Sequence, residues 1–179
     1  MLVFGGIREW EKPLIKKAFE TIPNKNKVLL APKWKIQKRN ISYIRLREWI
    51  WKLEKWWASK NKNFRVDLGF IQEKEAHYYL NAADFLFIPR TNELNSGNIT
   101  LGCTLGLVVM GKGTADIGEI LQETGNPTFT VGDDKSLKNA IDKAMQLKSS
   151  KHGEKNKKLA FNEWNLTNIS SKYLQVMRP

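Results

Sequence analysis

Apolar residues fall in short unbroken runs, separated by stretches with helical spacing. Leu2-Val3-Phe4 is a β-rich run closed by Gly5-Gly6. Leu14, Ile15, Ala18, Phe19 and Ile22 then share one helical face. Pro13 suits the first turn of that helix, where its missing N–H costs nothing. Residues 28–31 read as a buried strand closed by Pro32. After a basic stretch, 33–40, Ser42 is the N-cap expected for a helix with a stripe of Leu46, Trp49, Ile50, Leu53 and Trp57. Trp49 and Trp57 are expected in the core, whereas Trp51 and Trp56 flank the stripe and are available for an interface.

The alternation continues to the end of the chain. Strands are predicted over 64–68, 85–88, 107–110 and 128–131. Helices are predicted over 73–81, 99–105 and 117–123, the second ended by Gly106. Asp133 or Asp134 caps a further helix carrying Leu137, Ile141 and Met145. Residues 148–158 read as a basic polar connector, and 159–173 as a last helix broken near Asn165. Strands without polar alternation are buried on both faces. The expected fold is therefore α/β, a Rossmann-like parallel sheet with helices on both faces, in one domain over 1–179 with a helical tail from 156.

Composition narrows the function. The chain has 179 residues, 41% of them hydrophobic, enough for one core. No apolar run approaches the roughly 20 residues of a membrane span, and the opening residues do not read as a signal peptide. The two histidines and one cysteine have no zinc spacing, and Cys103 reads as packing. A net charge of +12 points to an anionic partner: nucleic acid, a phosphorylated small molecule or an anionic membrane face. The alternative for the dispersed lysines is a solvated basic surface.

Ligands of such sheets bind outside the carboxyl ends of the strands, which singles out three loops. The first holds Gly5, Gly6, Arg8 and Lys12. Its glycines permit close backbone approach, and its two cations suit a diphosphate. It is neither a dinucleotide fingerprint nor a P-loop. The second runs through Glu93, Asn95, Ser96, Gly97 and Asn98 into Thr100, where small residues and a helix start suit a pyrophosphate. Simple N-capping by Asn95 or Ser96 is the other reading. The third is Gly111-Lys112-Gly113 followed by Glu119, with Glu119 favoured to face solvent.

Taken in order, these motifs resemble the C-terminal domain of GT-B glycosyltransferases, and glycosyltransferase family four in particular. Phe4-Gly5-Gly6-Ile7-Arg8 is similar to the family's opening strand and loop. Gly69-Phe70-Ile71, Tyr78-Tyr79-Leu80-Asn81-Ala82-Ala83-Asp84 and the run to Pro89 are similar to its central stretch. Leu94-Asn95-Ser96-Gly97, Gly106-Leu107-Val108-Val109 and the segment 113–125 complete the series.

The resemblance implies a donor site for a UDP- or GDP-sugar with no cofactor and no metal. Gly6, Arg8, Lys12, Asn95, Ser96, Gly97 and Asn98 would meet the phosphates, Phe70 and Ile71 the base, and Glu93 the sugar as the catalytic glutamate. The second glutamate of the family's E-x7-E motif falls on Leu101, which cannot accept ribose hydrogen bonds. The implied acceptor is a glycan or lipid-linked intermediate, with the protein cytoplasmic at the inner membrane face. The acceptor half would come from a missing N-terminal domain or a partner chain, so the lone chain is expected to be inactive. Two other readings stand beside this one: a non-catalytic partner subunit, and a basic nucleic-acid-binding module, which lacks a recognised motif.

Overall fold

The computed structural model describes residues 1–23, 25, 27–32, 49, 63–66 and 71–177. The strands are β1 (Leu29–Ala31), β2 (Phe64–Val66), β3 (Phe85–Phe87), β4 (Val108–Lys112) and β5 (Thr128–Phe129). The helices are α1 (Lys12–Thr21), α2 (Glu73–Asn81), α3 (Asn98–Thr104), α4 (Ala115–Glu123), α5 (Asp134–Ser149), α6 (His152–Glu163) and α7 (Leu166–Met177). The fold is α/β and Rossmann-like, as the strand runs predict.

Every pairing among the described strands is parallel, so each connection between paired strands must cross over a sheet face. β1 pairs with β2, and β4 lies between β3 and β5. The opening segment joins these two small sheets, because Leu2 bridges both Leu30 and Leu86. Spatial order is therefore β2, β1, opening segment, β3, β4, β5. The chain departs from the opening segment to one side, then returns to continue on the other. That reversal is the topological switch point of a doubly wound sheet.

Alternate residues of each strand enter opposite cores. Val3, Phe85, Phe87, Val108 and Met110 pack with Ile15, Phe19, Leu137 and Ile141 from α1 and α5. Leu2, Leu86, Ile88 and Val109 pack with Leu80, Ile99, Cys103, Ile117, Leu121 and Ala160 from α2, α3, α4 and α6. Both faces are covered, which explains the unbroken apolar runs. α3 approaches the sheet closely at Gly102, where a β-carbon would lie 2.7 Å from Val109 and 2.9 Å from Leu86.

Local signals meet the structure at several points. Pro13 lies in the first turn of α1. Asp133 is the cap of α5, its carboxylate accepting from the Ser136 N–H at 3.0 Å. Asn165 separates the last two helices and accepts from the Asn168 N–H at 2.9 Å. The expected connector over 148–158 is corrected: α5 continues to Ser149, Lys151 turns the chain with φ 58°, and α6 begins at His152. Lysine and glutamate are good helix formers, and their polarity had stood for coil. The expected burial of Trp49 is also corrected, since the residue is 66% exposed. A helical stripe defines a face without saying what covers it, and an indole tolerates water. Ser42, Trp51, Trp56, Trp57 and the basic stretch 33–40 lie outside the described residues.

α6 is locked to the sheet by backbone contact and a buried amide network. A β-carbon on Gly153 would fall on the Gly106 carbonyl oxygen. Asn156 donates to the Leu107 carbonyl at 2.7 Å, and its carboxamide oxygen accepts from Asn126 at 3.0 Å. The Asn126 oxygen in turn accepts from the Val109 N–H at 3.0 Å. By contrast, Leu166, Ile169, Tyr173, Leu174, Val176 and Met177 leave the apolar side of α7 exposed. The Asn168 amide and Lys172, on its polar side, contact Asn162 and Glu163 of α6.

Gly153→Ala is therefore expected to destabilise the fold by about 2 kcal/mol through backbone overlap. Asn156→Leu should cost about 2–3 kcal/mol by stranding buried polar partners. The exposed Leu174→Ser should stay within about 0.5 kcal/mol of the parent. Denaturant unfolding of the three variants gives the comparison.

Candidate functional site

The site lies at the carboxyl ends of the opening segment and β3, at the switch point. Gly5 adopts φ +93°, a left-handed conformation that favours glycine, and turns the chain away from the sheet. Residues Glu9–Glu11 form a short 3-10 turn leading into α1. Glu11 closes this turn by accepting from the Arg8 N–H at 2.8 Å. On the other side, β3 ends in Ile88-Pro89, which sends Arg90 back over the first loop.

Arg90 ties the two loops together. Its guanidinium pairs with Glu11 and donates to the Gly6 carbonyl at 2.9 Å. Glu11 is 2% exposed, so this pair compensates a buried carboxylate. Arg8 sits further out, its side chain 42% exposed, and pairs with Glu93. Its guanidinium also lies 5.4 Å from the centre of the Trp10 ring. Glu93 additionally approaches Arg90, with Oε2 4.0 Å from Nε. Lys112, at the end of β4, is buried and donates to the Thr91 carbonyl at 3.0 Å.

Of the residues picked out by sequence, Gly6, Arg8, Glu93 and Asn98 meet here. Asn98 donates to the Phe4 carbonyl at 2.7 Å, joining the start of α3 to the end of the opening segment. That contact follows from the close packing of α3 at Gly102. Lys12 is in the same loop, but it is buried and its ammonium contacts Glu9 at 2.8 Å. Neither Asn95 nor Ser96 caps α3 by side chain; Gly97 is its N-cap residue. Ser96 instead accepts the Ile99 N–H through its carbonyl at 3.1 Å. Ile71 is buried, and Phe70 lies outside the described residues.

In the third loop, Glu119 is exposed, in line with the expectation. The close approach at Gly111 is to α4, where a β-carbon would lie 2.9 Å from Leu121. Leu101 packs part-buried against the second core.

Sequence reasoning did not find Arg90 or Glu11. Arg90 had one signal, an arginine directly after a buried strand at its carboxyl end. Glu11 had none, because its partner is 79 residues away. Among the described residues the cluster holds four cations, Arg8, Lys12, Arg90 and Lys112, and three carboxylates, Glu9, Glu11 and Glu93. It is thus close to neutral, with Arg8 and Glu93 its outermost pair. Such a pair is worth under about 1 kcal/mol, so an anion can displace the carboxylate from Arg8.

Cys103 stands apart from this chemistry. It is fully buried, and burial pushes its thiol up to about 12. Among the described residues no cluster of three or more His, Cys, Asp or Glu could hold a metal. No described helix is long and apolar enough to cross a membrane. Compared with protein-family models and with curated proteins, the chain matches none.

Removing one partner of the inner pair should be costly. Arg90→Ala strands Glu11 and is expected to lose about 3–5 kcal/mol, whereas Arg90→Met with Glu11→Leu should lose less. Chemical unfolding of the single and paired variants tests this. The Cys103 thiol should stay unlabelled by a thiol-specific disulfide reagent at pH 8 until denaturant unfolds the chain. Its raised pKa leaves stability unaffected below the ordinary thiol range, about 8.5. Stability should fall as pH rises from there towards about 12, because only the unfolded chain ionises.

Proposed function

We propose that the switch-point cluster binds the diphosphate of a nucleotide-diphosphate sugar, making this chain the donor-binding half of a glycosyltransferase. The observation that carries the reading is Arg8: a half-exposed guanidinium beside Glu93 at the switch point, over a loop anchored by Arg90. A planar cation on a fixed loop is suited to bidentate phosphate contact. In transfer, the bond from the anomeric carbon to the diphosphate oxygen breaks, the acceptor oxygen bonds to that carbon, and the hydroxyl proton passes to the departing diphosphate. Arg8 would stabilise the charge on the departing diphosphate, and the inner cations would set the local potential. Glu93 would meet the sugar, with Gly6 and the loop 95–98 nearby. The backbone near Phe70 and Ile71 would contact a uracil or guanine base.

A glycan or lipid-linked acceptor would be presented by a second domain or a partner chain. The uncovered apolar side of α7 supports that part of the reading, as a surface for another body. A non-catalytic partner subunit is the second reading. It is favoured by Leu101, a part-buried apolar side chain against the second core where the family's ribose-binding glutamate is expected.

Calorimetric titration with UDP, GDP and their sugar conjugates, at low and high salt, tests the proposal. One base is expected to give saturable binding. Arg8→Ala should weaken it by about 10- to 100-fold, the loss of a charge-assisted contact worth about 1.5–3 kcal/mol. Absence of binding to every diphosphate would reject the donor site and favour the partner-subunit reading.

A further inference from the structure

We infer that Glu93 is a specificity-determining residue that makes the site prefer a diphosphate diester, a nucleotide sugar, over the free nucleoside diphosphate. This inference rests on the donor-binding reading above. Two observations carry it. Glu93 pairs through Oε1 with Arg8, the most exposed cation of the cluster, and its Oε2 lies 4.0 Å from Nε of Arg90. The other carboxylates of the cluster have partners of their own: Glu11 with Arg90 and the Arg8 N–H, and Glu9 with Lys12.

A ligand that takes Arg8 therefore competes with Glu93, and the carboxylate remains next to it. The two ligand classes differ in charge at that point. The terminal phosphate of a free nucleoside diphosphate ionises a second time near pH 6, whereas the diester oxygen bonded to a sugar carries no such proton. Above pH 7 the free diphosphate thus has about one more negative charge than the sugar conjugate. Glu93 repels this added charge, while a sugar in the same place offers hydroxyls that a carboxylate accepts. The same geometry favours departure of the diphosphate product once the sugar has left. The carboxylate acts by electrostatics on the ligand, so its effect is screened by salt.

Glu93→Gln keeps the size of the side chain and removes its charge. The test is calorimetric titration of parent and Glu93→Gln with UDP, GDP and the sugar conjugates at pH 8, in low salt and in 0.5 M salt. Because the pair is part-exposed, the expected gain in free-diphosphate affinity is about fivefold at low salt. Affinity for the sugar conjugate should rise less or fall, and the gain should shrink in high salt. Thermal stability should be unchanged, and Glu93→Ala should show the same direction. The gain should vanish in an Arg8→Ala background.

Unchanged or weaker binding of the free diphosphate to Glu93→Gln, with the parent still binding and still sensitive to Arg8→Ala, would overturn this inference alone. Absence of diphosphate binding to both proteins would instead overturn the donor-site reading, and this inference with it.

Discussion

The opening segment, residues 1–4, is the seam of the sheet. Backbone hydrogen bonds hold it on both sides, among them Leu2 N to Phe85 O, Phe87 N to Leu2 O, Val3 N to Leu30 O and Leu30 N to Met1 O. Leu2 sends its side chain into one core and Val3 into the other. The seam fixes where the strand order reverses, and hence where two loops diverge. It also explains the chemistry at its end. The chain must leave the sheet at Gly5 and Gly6, which exposes the Gly6 carbonyl to Arg90 and brings Arg8 to the rim.

Where the two loops diverge, charges are arranged by burial. The inner pair, Arg90 and Glu11, is enclosed and holds the first loop against the end of β3. The outer pair, Arg8 and Glu93, is part-exposed and cheap to separate. A buried pair gives the site its shape, since breaking it leaves an uncompensated charge. A water-facing pair adds little to stability and leaves Arg8 accessible to solvent. The net charge of +12 is thus a poor guide to the site, where carboxylates nearly balance the cations.

The far end of the sheet is organised by amides instead. Asn126 and Asn156 satisfy each other and the backbone of residues Leu107 and Val109, which docks α6 beneath α3. Gly106 and Gly153 let the two backbones meet. This edge is remote from the switch point and serves the fold. α7 follows from α6 with its polar side toward it and its apolar side in solvent.

The sequence by itself determined the elements. Unbroken apolar runs such as 85–88 show that both faces of a strand are buried, and the spacing from Leu14 to Ile22 shows a helix face. These are local periodicities imposed by backbone geometry. The same locality made Gly5, Gly6 and Arg8 legible as residues at a strand end, whereas Glu93 was singled out by the family resemblance. It misread 148–158, because charge at the surface of a helix and charge in a coil look alike along the chain. Only the tertiary structure decided which loops meet. The pairing of Arg90 with Glu11 across 79 positions leaves no periodic trace, and the burial of Lys12 depends on neighbours folded around it. A residue's type fixes what chemistry it can perform. Its partners depend on chain reversal at the switch point, a property of the whole sheet.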